Sequence, residues 1–186
     1  MTNYLHRLRA DESLMMAYQR GDASAFEVLY SRHRLPVFAF LRRSGAAADN
    51  VEPLFQEAWM AIIRNKDSYQ PSASFKTYLY QVAHRKLIDY WRKHRERDEL
   101  AEDTADTSPD QDNGLSRPEA DLLNAQVMRF IQQLPDEQRC AIVLRQQGFS
   151  QHEIADITNV GAETVKSRLR YATKSLRNAL AGAHHE

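Results

Sequence analysis

Basic and hydroxyl side chains recur at helical spacing near residue 170. They are Lys166, Ser167, Arg170, Tyr171 and, one turn further on, Lys174. The first four fall at i, i+1, i+4 and i+5, so they share one strip of a helix. The forked donors of Arg170 match guanine O6 and N7, whereas Lys174 is placed to meet phosphate. The strip predicts contacts with duplex DNA, and the alternative is a helical hairpin with a solvated basic face.

A helix-turn-helix would hold this strip in place. Ser150 and Glu153 form the capping pattern Ser-x-x-Glu, which predicts a short helix after Gly148. Residues 159–161 (Asn-Val-Gly) suit a turn that needs positive φ. A second helix is predicted from about Ala162, with a buried stripe of Val165, Leu169, Ala172, Leu176 and Leu180. Such a motif places its second helix in the major groove.

A second candidate nucleic-acid surface lies on a long helix predicted from Phe75 to about Arg97. Its inward stripe is Phe75, Leu79, Val82, Ala83, Leu87, Tyr90 and Trp91. Cations and aromatic residues are expected away from that stripe, namely Lys76, Tyr80, His84, Arg85, Arg92, Lys93 and Arg95. Rings that stack on bases beside cations that follow phosphates are typical of single-strand binding. The alternative is a solvated helix face with Tyr80 partly in the core.

A third surface is predicted on the helix before it. The apolar stripe Val51, Leu54, Phe55, Ala58, Trp59, Ile62 and Ile63 follows helical spacing and predicts a buried face. The opposite face carries Glu52, Gln56, Glu57, Met60 and Arg64. Nothing within the chain explains an exposed Met60 there. Asp49 with Glu52 predicts a capping pattern, with Pro53 in the first turn.

The remaining pattern predicts an all-α chain of 186 residues. Further helices are expected at 12–20, after the cap Asp22, at 122–134 and at 136–147, and Pro36 should kink its helix or begin a new turn. Cys140 is the only cysteine, and we interpret it as a core residue. With no apolar leader and no membrane-spanning run, a cytoplasmic protein is expected.

Charge is divided unevenly, although the net charge is zero. Residues 1–97 carry 16 Lys/Arg against 10 Asp/Glu, residues 98–121 carry 1 against 9, and residues 122–186 carry 8 against 6. The acidic middle segment has few large apolar residues, so it predicts a flexible linker between two helical domains. Seven scattered histidines and the absence of a Gly-rich phosphate loop argue against an enzyme and against a metal or cofactor site.

With both halves in view, the chain resembles a bacterial RNA polymerase sigma factor of the extracytoplasmic-function (ECF) class of the sigma-70 family. Four stretches carry the resemblance: RGDASAFEVLYSRH, DNVEPLFQEAWMAIIRN, SFKTYLYQVAHRKLIDYWRK and LPDEQRCAIVLRQQGFSQHEIADITNVGAETVKSRLRYATKSL. They are similar to the start of region 2, the polymerase-binding helix, the promoter-opening helix and region 4. The resemblance implies region 2 at 1–97, the linker at 98–121 and region 4 at 122–186.

The resemblance also implies partners and site residues. Core polymerase would be bound through the clamp helices of its largest subunit by Glu52, Gln56, Glu57, Met60 and Arg64, with region 4 on the flap of the second-largest subunit. The −10 element would be melted and held, with a base flipped out, by Tyr69, Gln70, Ser72, Ser74, Lys76, Tyr80, Gln81, His84 and Arg85. The −35 element would be read by Glu163, Thr164, Lys166, Ser167, Arg170, Tyr171 and Lys174. An anti-sigma factor is expected to cover these surfaces, which should be exposed in the free protein.

Some positions depart from the family pattern, and one other class of protein stays open. Pro53, the pair His84-Arg85, Glu163 and Tyr171 stand where the family commonly has other residues. The alternative is a helix-turn-helix regulator that acts without polymerase and uses its N-terminal bundle for dimerisation or sensing. Such a regulator would bind duplex DNA alone as a symmetric dimer.

Overall fold

The computed structural model describes residue 6 and residues 8–100 and 118–183. These residues form eight α-helices and one 3-10 turn, so the predicted all-α class is confirmed. The helices are α1 Asp11–Gln19, α2 Ala23–Arg43, α3 Ala48–Arg64, α4 Phe75–Leu100, α5 Pro118–Gln132, α6 Asp136–Gln146, α7 Gln151–Thr158 and α8 Ala162–Ala183, with the turn at Lys66–Ser68. In these ranges no helix is both long enough and apolar enough to cross a bilayer.

Aromatic side chains join α2 to α3 in the N-terminal bundle. The Trp59 ring meets Phe26 edge-on at 5.7 Å and Tyr30 at 5.0 Å between ring centroids. Phe55 lies 6.4 Å from Trp59 on the same helix. Edge-to-face pairs of this kind add to the free energy gained from burial alone. The cluster fixes which face of α3 is turned inward and therefore which face remains in solvent.

Helix α1 holds the start of α4 and the loop before it. The Glu12 carboxylate accepts a hydrogen bond of 2.7 Å from the Phe75 amide, one of the unpaired donors at the N-terminus of α4. The Gln19 amide donates to the backbone carbonyls of Lys66 and Tyr69 at 2.7 and 2.8 Å. These three bonds fix the path of the loop between α3 and α4.

Both prolines lie inside helices. Helix α2 continues through Pro36, so no new helix begins there, and Val37, Phe40 and Leu41 beyond it are fully buried. The Asp49–Glu52 capping pattern is wrong. Helix α3 begins at Ala48, and Pro53 lies in its second turn.

The amide before α3 has a partner that sequence spacing does not reveal. The Ala47 amide donates to the Tyr90 hydroxyl of α4 at 3.1 Å. A side chain distant in sequence thus accepts the hydrogen bond from the amide that precedes α3.

Helices extend into both ends of the predicted linker. Helix α4 extends to Leu100 and α5 begins at Pro118, so residues 98–100 and 118–121 are helical. The remainder of the predicted linker, 101–117, lies outside the described residues.

The helix-turn-helix is confirmed. Ser150 accepts from the Glu153 amide at 3.2 Å, and Glu153 accepts from the Ser150 amide at 2.8 Å, which is the reciprocal capping box. Asn159 supplies the left-handed residue of the turn with φ 53°. Among described residues it is the only non-glycine with positive φ, so Asn159 rather than Gly161 makes the turn.

The two halves pack against each other. Helix α4 contacts α7, α2 contacts α6, and one cluster of buried side chains extends through both halves. Arg139 on α6 donates to the Ser44 carbonyl at 3.2 Å, and Gln132 donates to the Arg43 carbonyl at 3.2 Å. These donors satisfy carbonyls at the C-terminal end of α2 that the helix itself leaves unpaired.

Candidate nucleic-acid and polymerase interfaces

The five residues predicted for the polymerase surface share the solvent face of α3. Glu52, Gln56, Glu57, Met60 and Arg64 are all exposed, and Met60 retains 46% of its accessible surface. Gln56 donates to Glu52 at 2.8 Å one turn away. The face combines two carboxylates, an amide, a guanidinium and an apolar side chain, which suits a partner surface of mixed character.

One of these residues has a partner on α4. The Glu57 carboxylate lies 3.2 Å from the Lys86 ammonium. Because the Glu57 side chain is 58% exposed, this pair contributes little to stability.

The predicted −35 strip lies on the exposed side of α8. Every member except the half-buried Ser167 is exposed, and the full set is Glu163, Thr164, Lys166, Ser167, Arg170, Tyr171 and Lys174. The Arg170 guanidinium lies 5.0 Å from the centre of the Tyr171 ring. The same guanidinium donates a long hydrogen bond of 3.4 Å to the Tyr171 hydroxyl, so both contacts restrict the positions that it can take.

Glu163 has a local partner in the first turn of α8. Its carboxylate lies 3.4 Å from the Lys166 ammonium, and both side chains are well exposed. An exposed pair of this kind is weak, so Lys166 can exchange it for phosphate.

The α4 face differs from the prediction. Lys76, Tyr80 and His84 were expected away from the buried stripe. Tyr80 is fully buried, His84 is 8% exposed and Lys76 is half-buried, whereas Arg85 is exposed. The part of the predicted −10 surface that lies on this face of α4 is therefore covered in the free chain, contrary to expectation, except for Arg85.

The C-terminal half of the chain covers that face of α4. The Phe149 ring lies 4.8 Å from the Tyr80 ring in an edge-to-face arrangement, and the Lys76 ammonium is 4.3 Å from the centre of the Phe149 ring. The same ammonium donates to the Gln147 carbonyl at 2.9 Å. Gln81 donates to the Asp156 carbonyl at 3.0 Å.

The loop residues predicted for the −10 strand divide into two groups. Gln70, Ser72 and Ser74 are exposed, and the Ser74 hydroxyl accepts from the Thr77 amide at 3.0 Å, which caps α4. Tyr69 is buried beside Tyr78, with 5.2 Å between ring centroids. Burial raises the pKa of Tyr69 to about 12.

Sequence reasoning missed Phe149 and Arg139 as contacts between the halves. Phe149 precedes the cap Ser150, and Ile154 follows at the position that such an apolar residue often contacts. That spacing signals a buried ring. It does not reveal that the ring also covers Tyr80, because nothing in the pattern links residues so distant in sequence.

Two titratable groups lie near the contact between the halves. Burial, with Arg168 and Arg85 nearby, lowers the pKa of His84 to about 4. Burial raises the pKa of the Cys140 thiol to about 12, which confirms its interpretation as a core residue. Within the described ranges no group of His, Cys, Asp or Glu side chains is arranged to hold a metal ion.

Family models match both halves of the chain. Residues 29–97 match "Sigma-70 region 2" and residues 124–176 match "Sigma-70, region 4". The chain is 30% identical over 178 residues to the ECF RNA polymerase sigma-E factor of Escherichia coli K12, covering 90% of this chain and 93% of that protein. It is 29% identical over 180 residues to the RNA polymerase sigma-H factor of Pseudomonas aeruginosa, covering 91% and 93%.

Solved structures share the fold. CnrH, in a complex with the cytosolic domain of CnrY, superposes with a TM-score of 0.70 at 23% identity, covering 94% of this chain and 99% of that chain. The sigma factor RpoE of Bartonella quintana, in a complex with the anti-sigma factor NepR, gives 0.66 at 22% identity, covering 84% and 96%.

The chain belongs to the ECF class of the sigma-70 family of RNA polymerase sigma factors. It directs transcription initiation and is not an enzyme, and sigma factors bind RNA polymerase and promoter DNA. This family assignment excludes the alternative of a helix-turn-helix regulator that acts without polymerase.

The pKa of His84 predicts a pH dependence of stability. The His84 ring binds a proton more weakly in the folded chain than in the unfolded chain, where its pKa is 6.5. The free energy of unfolding is therefore highest above pH 6.5 and falls as the pH drops towards 4. We expect the free energy of unfolding to fall by about 1–2 kcal/mol between pH 6.5 and 5. Chemical denaturation at several pH values measures this slope.

Two histidine variants separate His84 from other groups. His84→Gln should remove most of the slope in this window, whereas the control His152→Gln changes an exposed ring and should retain it. Asp11 and Asp22, whose carboxyl pKa values are lowered, titrate below the range from pH 6.5 to 5. An unchanged slope in a folded His84→Gln chain would contradict the assignment.

Proposed function

We propose that the exposed face of α3 docks on the clamp helices of core polymerase. The observation that supports this is the separation of the two faces: the aromatic cluster around Trp59 fixes one face inward, and all five candidate residues lie on the other. A surface with an exposed methionine at its centre is suited to a partner that buries it. Region 4 would bind the flap of the second-largest subunit at the same time.

We propose further that α8 reads the −35 element in the major groove. Its exposed strip lies near the helix N-terminus, where recognition helices approach base edges. Arg170 is the candidate for reading a guanine, because its guanidinium is steadied by Tyr171. Lys174 is the candidate for a phosphate contact.

The −10 strand would be melted and captured by α4 and the loop before it. Exposed Gln70, Ser72, Ser74 and Arg85 are available at once, whereas Tyr80, His84, Lys76 and Gln81 become available only after region 4 moves away. Tyr69 would help through its packing, because its ring is buried. The proposal therefore requires a change in the relation between the halves before promoter melting.

An anti-sigma factor is the proposed regulator. The Bartonella quintana structure that shares this fold is a complex with such a protein, NepR. The α3 face is exposed in the free chain and would be the surface that an anti-sigma factor denies to polymerase. Because its partners are polymerase and promoter DNA, we place the protein in the cytoplasm.

Charge reversal on α3 tests the docking proposal. Glu57→Lys should weaken binding to core polymerase at least ten-fold while changing the free energy of unfolding by no more than about 0.5–1 kcal/mol. The double variant Glu57→Lys/Lys86→Glu restores the pair between helices but keeps the reversed charge on the docking face. Fluorescence titration with core polymerase measures both.

The double variant distinguishes docking from folding. If it stays weak, the face itself matters for binding. If it recovers full affinity, the single variant acted through the helix pair and the docking assignment is wrong.

Two variants of α8 distinguish a residue that reads a base from a residue that contacts phosphate. Arg170→Ala in holoenzyme should change the bases selected from a randomised −35 library, with a loss of about 1–3 kcal/mol of discrimination at one position. Lys174→Ala should weaken all sequences alike and reduce the salt dependence of binding. If both variants select the parental sequence, α8 does not read bases through this strip.

A further inference from the structure

We propose that region 4 occupies the single-strand site of region 2 as an internal substitute for a nucleotide, so that the free chain holds this site closed. The inference rests on the proposed −10 function of α4. In the closed chain Phe149 takes the place of a base on Tyr80, and the Gln147 carbonyl takes the place of a phosphate oxygen on Lys76.

The aromatic part of the contact matches what a base would provide. Phe149 is 1% exposed, and its ring meets Tyr80 edge-on at 4.8 Å while the Lys76 ammonium lies 4.3 Å from the ring centre. Single-strand sites hold bases against aromatic rings with cations nearby, and Phe149 occupies such a position, although it lies edge-on to Tyr80 rather than stacked on it. The same three groups would serve a flipped base once Phe149 withdraws.

The polar part of the contact imitates an anionic strand. Gln147 is the C-cap of α6, and Asp156 lies in the last turn of α7. Carbonyls at helix C-termini lack partners within the helix and carry the negative end of the helix dipole. Region 4 thus presents two such carbonyls to Lys76 and Gln81, at 2.9 and 3.0 Å.

The closed contact leaves one group unsatisfied. The Tyr80 hydroxyl is buried and has no hydrogen-bond partner among the residues that the structure describes. A buried hydroxyl without a partner opposes the state that buries it. This unpaired hydroxyl reduces the free energy by which the closed contact is favoured.

A second contact closes the other side of the interface. Arg139 donates to the Ser44 carbonyl and forms an ion pair with Asp136, and its guanidinium fills the space where a side chain on Gly45 would lie. Arg139 belongs to none of the three proposed binding surfaces. Its removal loosens the closed state without altering the strand site.

Closure predicts a measurable loss of single-strand affinity. The apparent affinity of a site is reduced by the fraction of molecules in which it is open. We expect Phe149→Ala and Arg139→Ala, each in the full chain, to bind a fluorescent pool of random 15-nucleotide single strands at least ten-fold more tightly than the parent. The control Arg129→Ala removes an exposed cation from the same half and should not gain affinity.

Two further measurements make the result specific. Adding Lys76→Ala to Phe149→Ala should abolish the gain, because the strand would then lack its cation. Cys140 is fully buried near Ser44, so its rate of reaction with a thiol reagent reports separation of the halves. If Phe149→Ala does not fold, Arg139→Ala alone provides the test. Circular dichroism then checks that the Arg139→Ala chain is folded.

The outcomes distinguish this inference from the function on which it rests. If Cys140 reacts faster in the variants but single-strand affinity does not rise, α4 holds no strand site, and both the inference and the −10 assignment fail. If neither property changes, yet holoenzyme made from the variants still melts its promoter, closure is wrong and the −10 function stands. A rise in both that Lys76→Ala reverses supports closure by region 4.

Discussion

The structure depends on unpaired backbone carbonyls at helix ends and on the side chains that reach them across the two halves. Lys76 and Gln81 donate to carbonyls at the ends of α6 and α7, and Arg139 and Gln132 donate in the other direction to the end of α2. Each half thus completes helices of the other. Lys76 and Gln81 belong to the surface proposed for the −10 strand, so their bonds to the C-terminal half would compete with binding of a promoter. Arg139 and Gln132 lie outside the proposed binding surfaces.

The three surfaces differ in what they need before they can act. The α3 face is ready, since a cluster of rings behind it fixes its orientation and all its residues face solvent. The α8 strip is also exposed, with only weak local pairs to exchange. The α4 face is occupied. In the proposed function, polymerase docking would therefore precede strand capture, and this order would limit melting of DNA by the free factor.

The fold could be predicted from the sequence because it follows local rules. Helical periodicity located the stripes of α3 and α4, and the capping box at Ser150 located α7. The exposure of the Met60 face was predicted correctly, because it needed only the period of one helix. Burial of Tyr80 could not be predicted, because it depends on Phe149, which is distant in sequence and reaches Tyr80 only after both halves have folded. The capping pattern predicted at Asp49 was wrong for the same reason, because the amide that precedes α3 is paired by Tyr90, which lies on another helix.

On the inference drawn above, the free chain is closed and core polymerase separates its halves. Single-molecule energy transfer between dyes on Leu35→Cys and Asn178→Cys measures this directly, because both positions are exposed on opposite halves while Cys140 is buried. The account predicts one population of high transfer efficiency in the free chain and a shift to low efficiency when core polymerase is added. A free chain that already shows low or broadly distributed efficiency, unchanged by core polymerase, would contradict it.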